Sequence, residues 1–190
     1  MLQHPLEVNQ AKGSARLLHL CLPGSRLMVG EVFPENELDQ LLHAPFHSED
    51  IGRCAPRQTI LLYPETPEDG AMGFVAPPVV APVLLHNPAH IRLVVLDGTW
   101  RKSRKQLYRN PLLQQLPRLP LHDTPESHYR IRKAHRPDQL STFEATCYAL
   151  MQLEGEGAKY QSLLSAFDGF VAQLAAYDVA TGLTVKRTRN

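Results

Sequence analysis

Cysteine is scarce in this chain of 190 residues: Cys21, Cys54 and Cys147 are odd in number and scattered, with no CxxC spacing anywhere. Neither a disulfide framework nor a zinc site is expected from them. No thiol has an activating neighbour in sequence, so a catalytic cysteine is not expected either, and Cys147, among Phe143, Tyr148 and Met151, reads as a small core hydrophobe. Long apolar runs are missing too. None approaches the roughly 18 to 20 residues of a membrane span, which excludes a helical membrane protein. The stretch from Met1 to Glu7 has neither the basic start nor the apolar run of a secretory signal, and a cytoplasmic location is expected. Walker A, GxGxxG and HExxH motifs are absent, which removes three common phosphate-binding and zinc-hydrolase signatures.

Net charge is almost absent as well, at +1, but the total hides a steep division. Residues 92–136 hold eleven Lys and Arg against Asp97, Asp123 and Glu126, an excess of +8, so the rest, nine basic against sixteen acidic, carries −7. The basic stretch also contains Trp100, Tyr108, His128, Tyr129 and His135, the mixture that binds phosphates and stacks on bases. A solvated surface of uneven charge would look similar; the aromatic interleaving favours an anionic partner.

What is present in quantity is ordinary globular sequence, 43% hydrophobic and 21% charged, of one-domain length. Val8, Ala11, Ala15, Leu18 and Cys21 recur at helical spacing between Leu6 and Cys21, and Pro23-Gly24 ends the run. A short strand is predicted over 26–32 and a helix over 35–43. The continuous apolar runs Thr59–Tyr63 and Ile91–Leu96 read as strands buried on both faces, the second followed by helix-forming sequence from Trp100 to Arg109. Ser141-Thr142-Phe143-Glu144 is a capping-box start, and a last helix buries Tyr160, Leu163, Leu164, Phe167, Phe170, Val171 and Leu174. Buried strands alternating with helices predict an α/β fold, a mostly parallel sheet with helices on both faces. Ligands in such folds bind beyond the carboxyl ends of the strands, after Tyr63 and after Leu96.

Asp97-Gly98-Thr99-Trp100 lies at such an end, followed by Arg101-Lys102-Ser103-Arg104-Lys105. Asp97 or Thr99 could simply cap the helix, and Trp100 could be core. Alternatively a carboxylate facing a cleft is placed to accept a proton, with the basic residues holding a polyanion nearby. In Tyr129-Arg130-Ile131-Arg132-Lys133 the alternation puts Arg130 and Arg132 on one side of an extended segment, suited to two successive phosphates or to a solvated edge strand.

Gln3-His4-Pro5-Leu6-Glu7, Leu61-Leu62-Tyr63-Pro64, Leu96-Asp97-Gly98-Thr99-Trp100-Arg101-Lys102, Tyr129 to Lys133 and Leu140-Ser141-Thr142-Phe143-Glu144-Ala145 together resemble the DTW-domain family, the tRNA-uridine aminocarboxypropyltransferases. The resemblance runs in order from residue 3 to about residue 175. It implies one domain over 1–190 with a SPOUT-like fold, whose C-terminal trefoil knot binds S-adenosylmethionine with the segments after Tyr63, after Leu96 and between about Arg130 and Ser141. The family's cysteine-rich, zinc-binding N-terminal segment is expected to be absent ahead of Met1-Leu2, and no metal is expected.

The implied reaction moves the 3-amino-3-carboxypropyl group of S-adenosylmethionine to N3 of a tRNA uridine and releases methylthioadenosine. Asp97 would be the base, or would instead hold the sulfonium, with Thr99 and Trp100 shaping the pocket. Leu62, Tyr63 and Pro64 would form a backbone wall for the adenosine, Gly98 would help to bind the cofactor, and Ser141, Thr142 and Glu144 would hold the methionine end. Arg101, Lys102, Arg104, Lys105, Arg130, Arg132 and Lys133 would face tRNA. A SPOUT-type RNA methyltransferase and a non-enzymatic RNA-binding remnant are the alternatives.

Overall fold

Two apolar strands, β3 (Gln58–Leu62) and β4 (Ile91–Asp97), pair in parallel over five residues, Gln58 opposite Ile91 through Leu62 opposite Val95. The computed structural model describes residues 1–10, 13–45, 58–64, 77–78, 87–125, 127 and 140–180. Three two-residue strands complete the sheet: β1 (Leu2–Gln3), β2 (Met28–Val29) and β5 (Arg118–Leu119). The order is β2-β1-β4-β3-β5, and every pairing is parallel. The expected parallel α/β sheet is therefore found. Of the segment between about Arg130 and Ser141, which the resemblance assigns to the knot, residues 130–139 lie outside the described residues.

Side chains alternate across a strand, so each strand serves two cores. On one face Leu2, Leu61, Tyr63, Val94 and Leu96 pack with Phe33, with Leu38 and Leu42 of α2 (Glu35–His43), with Leu107 of α3 (Trp100–Arg109) and with Leu113 of α4 (Pro111–Gln114). Polar contacts pin α2 there: Thr59 Oγ1 donates to the Leu42 carbonyl at 2.6 Å, and the Arg92 guanidinium donates to the carbonyls of Leu41 and Ala44 at 3.0 and 2.7 Å. On the other face Ile60, Leu62, Ile91, Leu93 and Leu119 meet Ala149 and Leu153 of α5 (Thr142–Glu154). Outside that layer, Leu18 of α1 (Ser14–Cys21), Phe143 and Cys147 of α5, and Tyr160, Leu164, Phe167 and Val171 of α6 (Gly157–Ala180) form a third cluster. Cys147 is fully buried, and desolvation pushes its thiol up to about 12, as befits a core hydrophobe. No helix of the described residues is long and apolar enough to cross a membrane.

The helices over 35–43 and 100–109 match their predicted bounds, but the N-terminal helix does not. It begins at Ser14, not Leu6; Pro5–Glu7 is a 3-10 turn in which Val8, just after it, is 46% exposed and Glu7 is buried. The reason is a long-range ion pair, Glu7 Oε1 to Lys102 Nζ at 2.8 Å, which turns a charged residue inward and the apolar one outward. In α6 the expected face is kept, with Leu163, Phe170 and Leu174 half-buried rather than buried.

The capping box of α5 is complete. Ser141 N donates to Glu144 Oε2 at 2.8 Å, Glu144 N donates to Ser141 Oγ at 3.2 Å, and Ser127 Oγ adds a 2.8 Å bond to the same Oε2. Ser141→Ala removes one of these acceptors and is expected to cost about 1 kcal/mol, a fall of roughly 2 to 4 °C in melting temperature for a chain of this size. Calorimetry of the variant beside the parent checks it.

Candidate active site at the carboxyl ends of the strands

The chain leaves β1 toward β2 and leaves β4 toward β5, in opposite directions along the sheet, so a topological switch point lies between β1 and β4. The residues facing each other there are Gln3 and Asp97, partners in register. Both are buried, at 4% and 3% exposure, and Gln3 Nε2 donates to Asp97 Oδ2 at 2.9 Å. His4 N continues the ladder by donating to the Asp97 carbonyl at 2.9 Å. The next residue must be small: a Cβ on Gly98 would sit 3.1 Å from Lys102 Cβ and 3.5 Å from His4 Cβ. Thr99, not Asp97, occupies the N-cap of α3, its hydroxyl accepting from Lys102 N in a long 3.4 Å contact. Asp97 is thus not spent on the helix terminus.

Beside this turn, Glu31 gathers three donors. His4 Nε2 lies 3.0 Å and Lys105 Nζ 3.0 Å from Glu31 Oε2, while Arg109 NH1 lies 2.6 Å from Oε1. Lys105, then His4 and Arg109, pull the Glu31 carboxyl down to about 2, so the cluster holds until the pH falls toward that value. His4 Nδ1 accepts from Leu6 N at 3.2 Å, which puts the ring proton on Nε2, directed at Glu31. The segment carrying Glu31 is itself anchored to α3: Gln106 Nε2 donates to the Gly30 carbonyl at 2.7 Å, Asn110 Nδ2 to the Glu31 carbonyl at 2.9 Å, and Phe33 N to Asn110 Oδ1 at 2.9 Å.

Tyr63, just past β3, is buried and stacks on Trp100 with ring centroids 5.1 Å apart and planes 15° apart. Arg118 at β5 places its guanidinium carbon 5.2 Å from the Tyr63 ring centroid. Trp100 is 44% exposed, so it is not core; it is an indole fixed by Tyr63 and open to solvent. Leu62 is half-buried and Pro64 exposed beside this shelf. Asp97 and Gln3 follow the alternation of Val95 and of the α1 and α5 face, whereas Tyr63 belongs to the opposite core, so carboxylate and indole straddle the end of β4. The α5 cluster with Ile91 and Leu93, from the first half of β4, uses Ala149 and Leu153, from the second half of the helix. Helix α5 therefore runs against the strands, and its N-terminal Ser141, Thr142 and Glu144 lie at the same end of the sheet as Asp97. Ser141 and Glu144 are committed to their cap.

Along α3, Arg101 is exposed and pairs with no carboxylate among the described residues, and Arg104 is half-buried. Lys102 and Lys105 are already matched by Glu7 and Glu31. Arg130, Arg132 and Lys133 lie outside the described residues. Two clefts, of about 480 Å³ beside Glu35, Asn36, Asp39 and Leu112 and about 230 Å³ beside Phe33, Leu38 and Pro111, open on the α2 and α4 side; neither includes a residue predicted for the site.

The family model for the DTW domain matches residues 1–175. The chain belongs to the DTW domain family. It is 26% identical over 166 residues to tRNA-uridine aminocarboxypropyltransferase 2 of Macaca fascicularis, covering 86% of this chain and 50% of that protein. The proteins of the same name from Mus musculus and Drosophila melanogaster are 27% and 28% identical over 167 and 170 residues, covering 86% of this chain and 50% and 59% of theirs. The chain spans about half the length of these curated relatives. No solved structure matches it.

The DTW domain thus brings Asp97, Gly98, Thr99 and Trp100 together with Tyr63 at one end of its sheet. Sequence reasoning about the chemistry passed over Glu31, Arg118 and the side chain of Gln3. Gln3 and His4 stood among the family motifs without a role, and only strand register reveals that Gln3 faces Asp97 and that the His4 backbone N–H reaches the Asp97 carbonyl. For Glu31, 78 residues before Arg109 in contact, no local pattern exists. Chemically the arrangement offers a buried carboxylate with a neutral partner, an exposed aromatic face and a cationic helix.

Proposed function

We propose that this DTW domain transfers the 3-amino-3-carboxypropyl group of S-adenosylmethionine to N3 of a uridine in tRNA, releasing methylthioadenosine. The observation that carries this reading is Asp97, a buried carboxylate at the switch point and the carboxyl end of β4, with Oδ2 held by the Gln3 amide. The relatives' names supply the reaction class. Uridine N3 is a weak nucleophile until its proton is removed. Asp97 accepts that proton, N3 bonds to the terminal carbon of the aminocarboxypropyl chain, and the carbon–sulfur bond electrons return to the sulfonium, which leaves neutral. Which of three sulfur-bound carbons reacts is a matter of aim, so orientation decides between this transfer and methylation. Trp100 and Tyr63 offer the flat surface for a base, and Ser141, Thr142 and Glu144 border the methionine end. The same reading assigns a SPOUT-like fold with a C-terminal knot; what supports it is the order of the sheet, in which the chain turns inward from β3 to β4 and then outward past β3 to β5.

Mass spectrometry of tRNA and of the small-molecule products after incubation with S-adenosylmethionine tests the reading. Aminocarboxypropyluridine with methylthioadenosine is the expected pair; a methylated uridine with S-adenosylhomocysteine makes the protein a methyltransferase instead.

The ion pairs divide the basic helix in its dealings with tRNA. Arg101→Gln is expected to lower the salt slope of tRNA binding by about 0.7 to 0.9, the share of one phosphate contact. Lys102→Gln should leave the slope unchanged and lower the melting temperature, because it removes a cationic partner of the buried Glu7 carboxylate. Binding titrations between low and high salt for both variants separate the two roles, and equal slopes for both would remove Arg101 from the RNA face.

A further inference from the structure

We infer that Gln3 is a positioning residue for the transfer, fixing the Asp97 carboxylate so that Oδ1 is the oxygen that takes the proton. The inference rests on the reading of Asp97 as the base. Three observations lead to it. First, Gln3 and Asp97 are register partners on adjacent parallel strands, so their side chains leave the same face side by side, and the 2.9 Å bond is dictated by backbone pairing. The backbone on both sides is held as well, by His4 N to the Asp97 carbonyl and by Gly30 N to the Gln3 carbonyl, each at 2.9 Å.

Second, the bond engages Oδ2, and no hydrogen bond from a described residue engages Oδ1. A carboxylate free to rotate presents either oxygen; one clamped at Oδ2 presents Oδ1 in a single direction. Orientation of this kind is what a base needs when the reacting atoms must sit within about 3 to 3.5 Å.

Third, the partner is chemically suited. Asp97 is 3% exposed, so its carboxylate depends on partners within the protein. No Lys, Arg or His side chain among the described residues pairs with it, and the Met1 ammonium, which donates to the Arg26 carbonyl at 2.7 Å, acts on it through space without a hydrogen bond. The amide donates one neutral hydrogen bond to Oδ2 and brings no charge of its own to the site. Gln3 has no ionisable group and takes no proton itself.

The test compares Gln3→Met, which keeps length and loses the donor, with Gln3→Asn, which keeps the amide and withdraws it by about 1.5 Å, one carbon–carbon bond. Single-turnover transfer at saturating S-adenosylmethionine and tRNA is measured beside dissociation constants for both and a melting curve. Both variants are expected to transfer about 10- to 100-fold more slowly, the usual worth of an orienting partner, with dissociation constants within about twofold of the parent. In the pair Gln3→Met with Asp97→Asn, Gln3→Met should add nothing to the loss caused by Asp97→Asn alone. Transfer at the parental rate by Gln3→Met, alongside a slow Asp97→Asn, overturns the role of Gln3 and leaves Asp97 as base. A parental rate in Asp97→Asn overturns both. If Gln3→Met does not fold, Gln3→Asn is read by the same criteria, and a loss that appears in the dissociation constants alone makes Gln3 a structural residue.

Discussion

Asp97→Asn is expected to fold and to transfer about 10² to 10⁴ times more slowly than the parent, the span that a general base usually contributes. The substitution conserves shape and keeps an acceptor for Gln3 Nε2, so the ladder between β1 and β4 survives. What it removes is the charge and the ability to accept a proton. A residue serving only as a helix cap would tolerate the change, since Asn caps about as well as Asp; here the cap is Thr99, and the cap account makes no claim on Asp97. Single-turnover rates at saturating substrates, with a melting curve to show that the variant is folded, decide the matter. A parental rate would sink the assignment. A slow variant whose affinity for S-adenosylmethionine has also collapsed would shift the role of Asp97 from proton transfer to holding the sulfonium.

The second large effect concerns stability. Phe167 of α6 is 1% exposed and stacks on Phe143 of α5, with centroids 4.4 Å apart and planes 5° apart. Phe143 is two residues after the cap at Ser141, so this contact ties the first turn of α5 to α6. Phe167→Ala is expected to cost about 3 to 5 kcal/mol through lost transfer energy and the cavity left behind. Against a total stability of about 5 to 15 kcal/mol, that brings the fold close to its limit. The melting temperature should fall by roughly 6 to 20 °C. Gln173→Ala, on the same helix at an exposed site, is the control and should shift stability by less than about 0.5 kcal/mol. Similar melting temperatures for the two variants would mean that the α5 and α6 layer does not stabilise the domain.

Elements with strong local signals were legible from sequence. Helix α3 starts where Thr99 caps it, α2 follows Pro34, and α5 starts in its capping box, all encoded within four residues. β3 and β4 were legible because strands buried on both faces need unbroken apolar sequence. β1 and β5 were not: two residues cannot display a period, and Arg118–Leu119 is enclosed by Pro117 and Pro120. The predicted start of α1 failed for a different reason. The period through Val8 was present in the sequence, but the ion pair of Glu7 with Lys102, 95 residues away, outweighed it. The site divides the same way. Asp97 and Trp100 declared themselves by standing at a strand end, whereas the pairing of Gln3 with Asp97 and the donors around Glu31 are products of tertiary register.

The register that joins Leu2 to Leu96 also governs when the site comes into being. The Gln3 and Asp97 side chains that meet there are 94 residues apart, and closing so long a loop is among the slower and less rewarded steps of folding. β4 can pair with β3 across a much shorter separation, so a partly folded chain can possess a hydrophobic core while its Asp97 still lacks an amide to aim it. During synthesis, β1 emerges first and has to wait for β4 before it has a neighbour on that side. Competence for chemistry is therefore a late event in the life of the chain, and recovery of activity after dilution from denaturant should lag behind the recovery of helix.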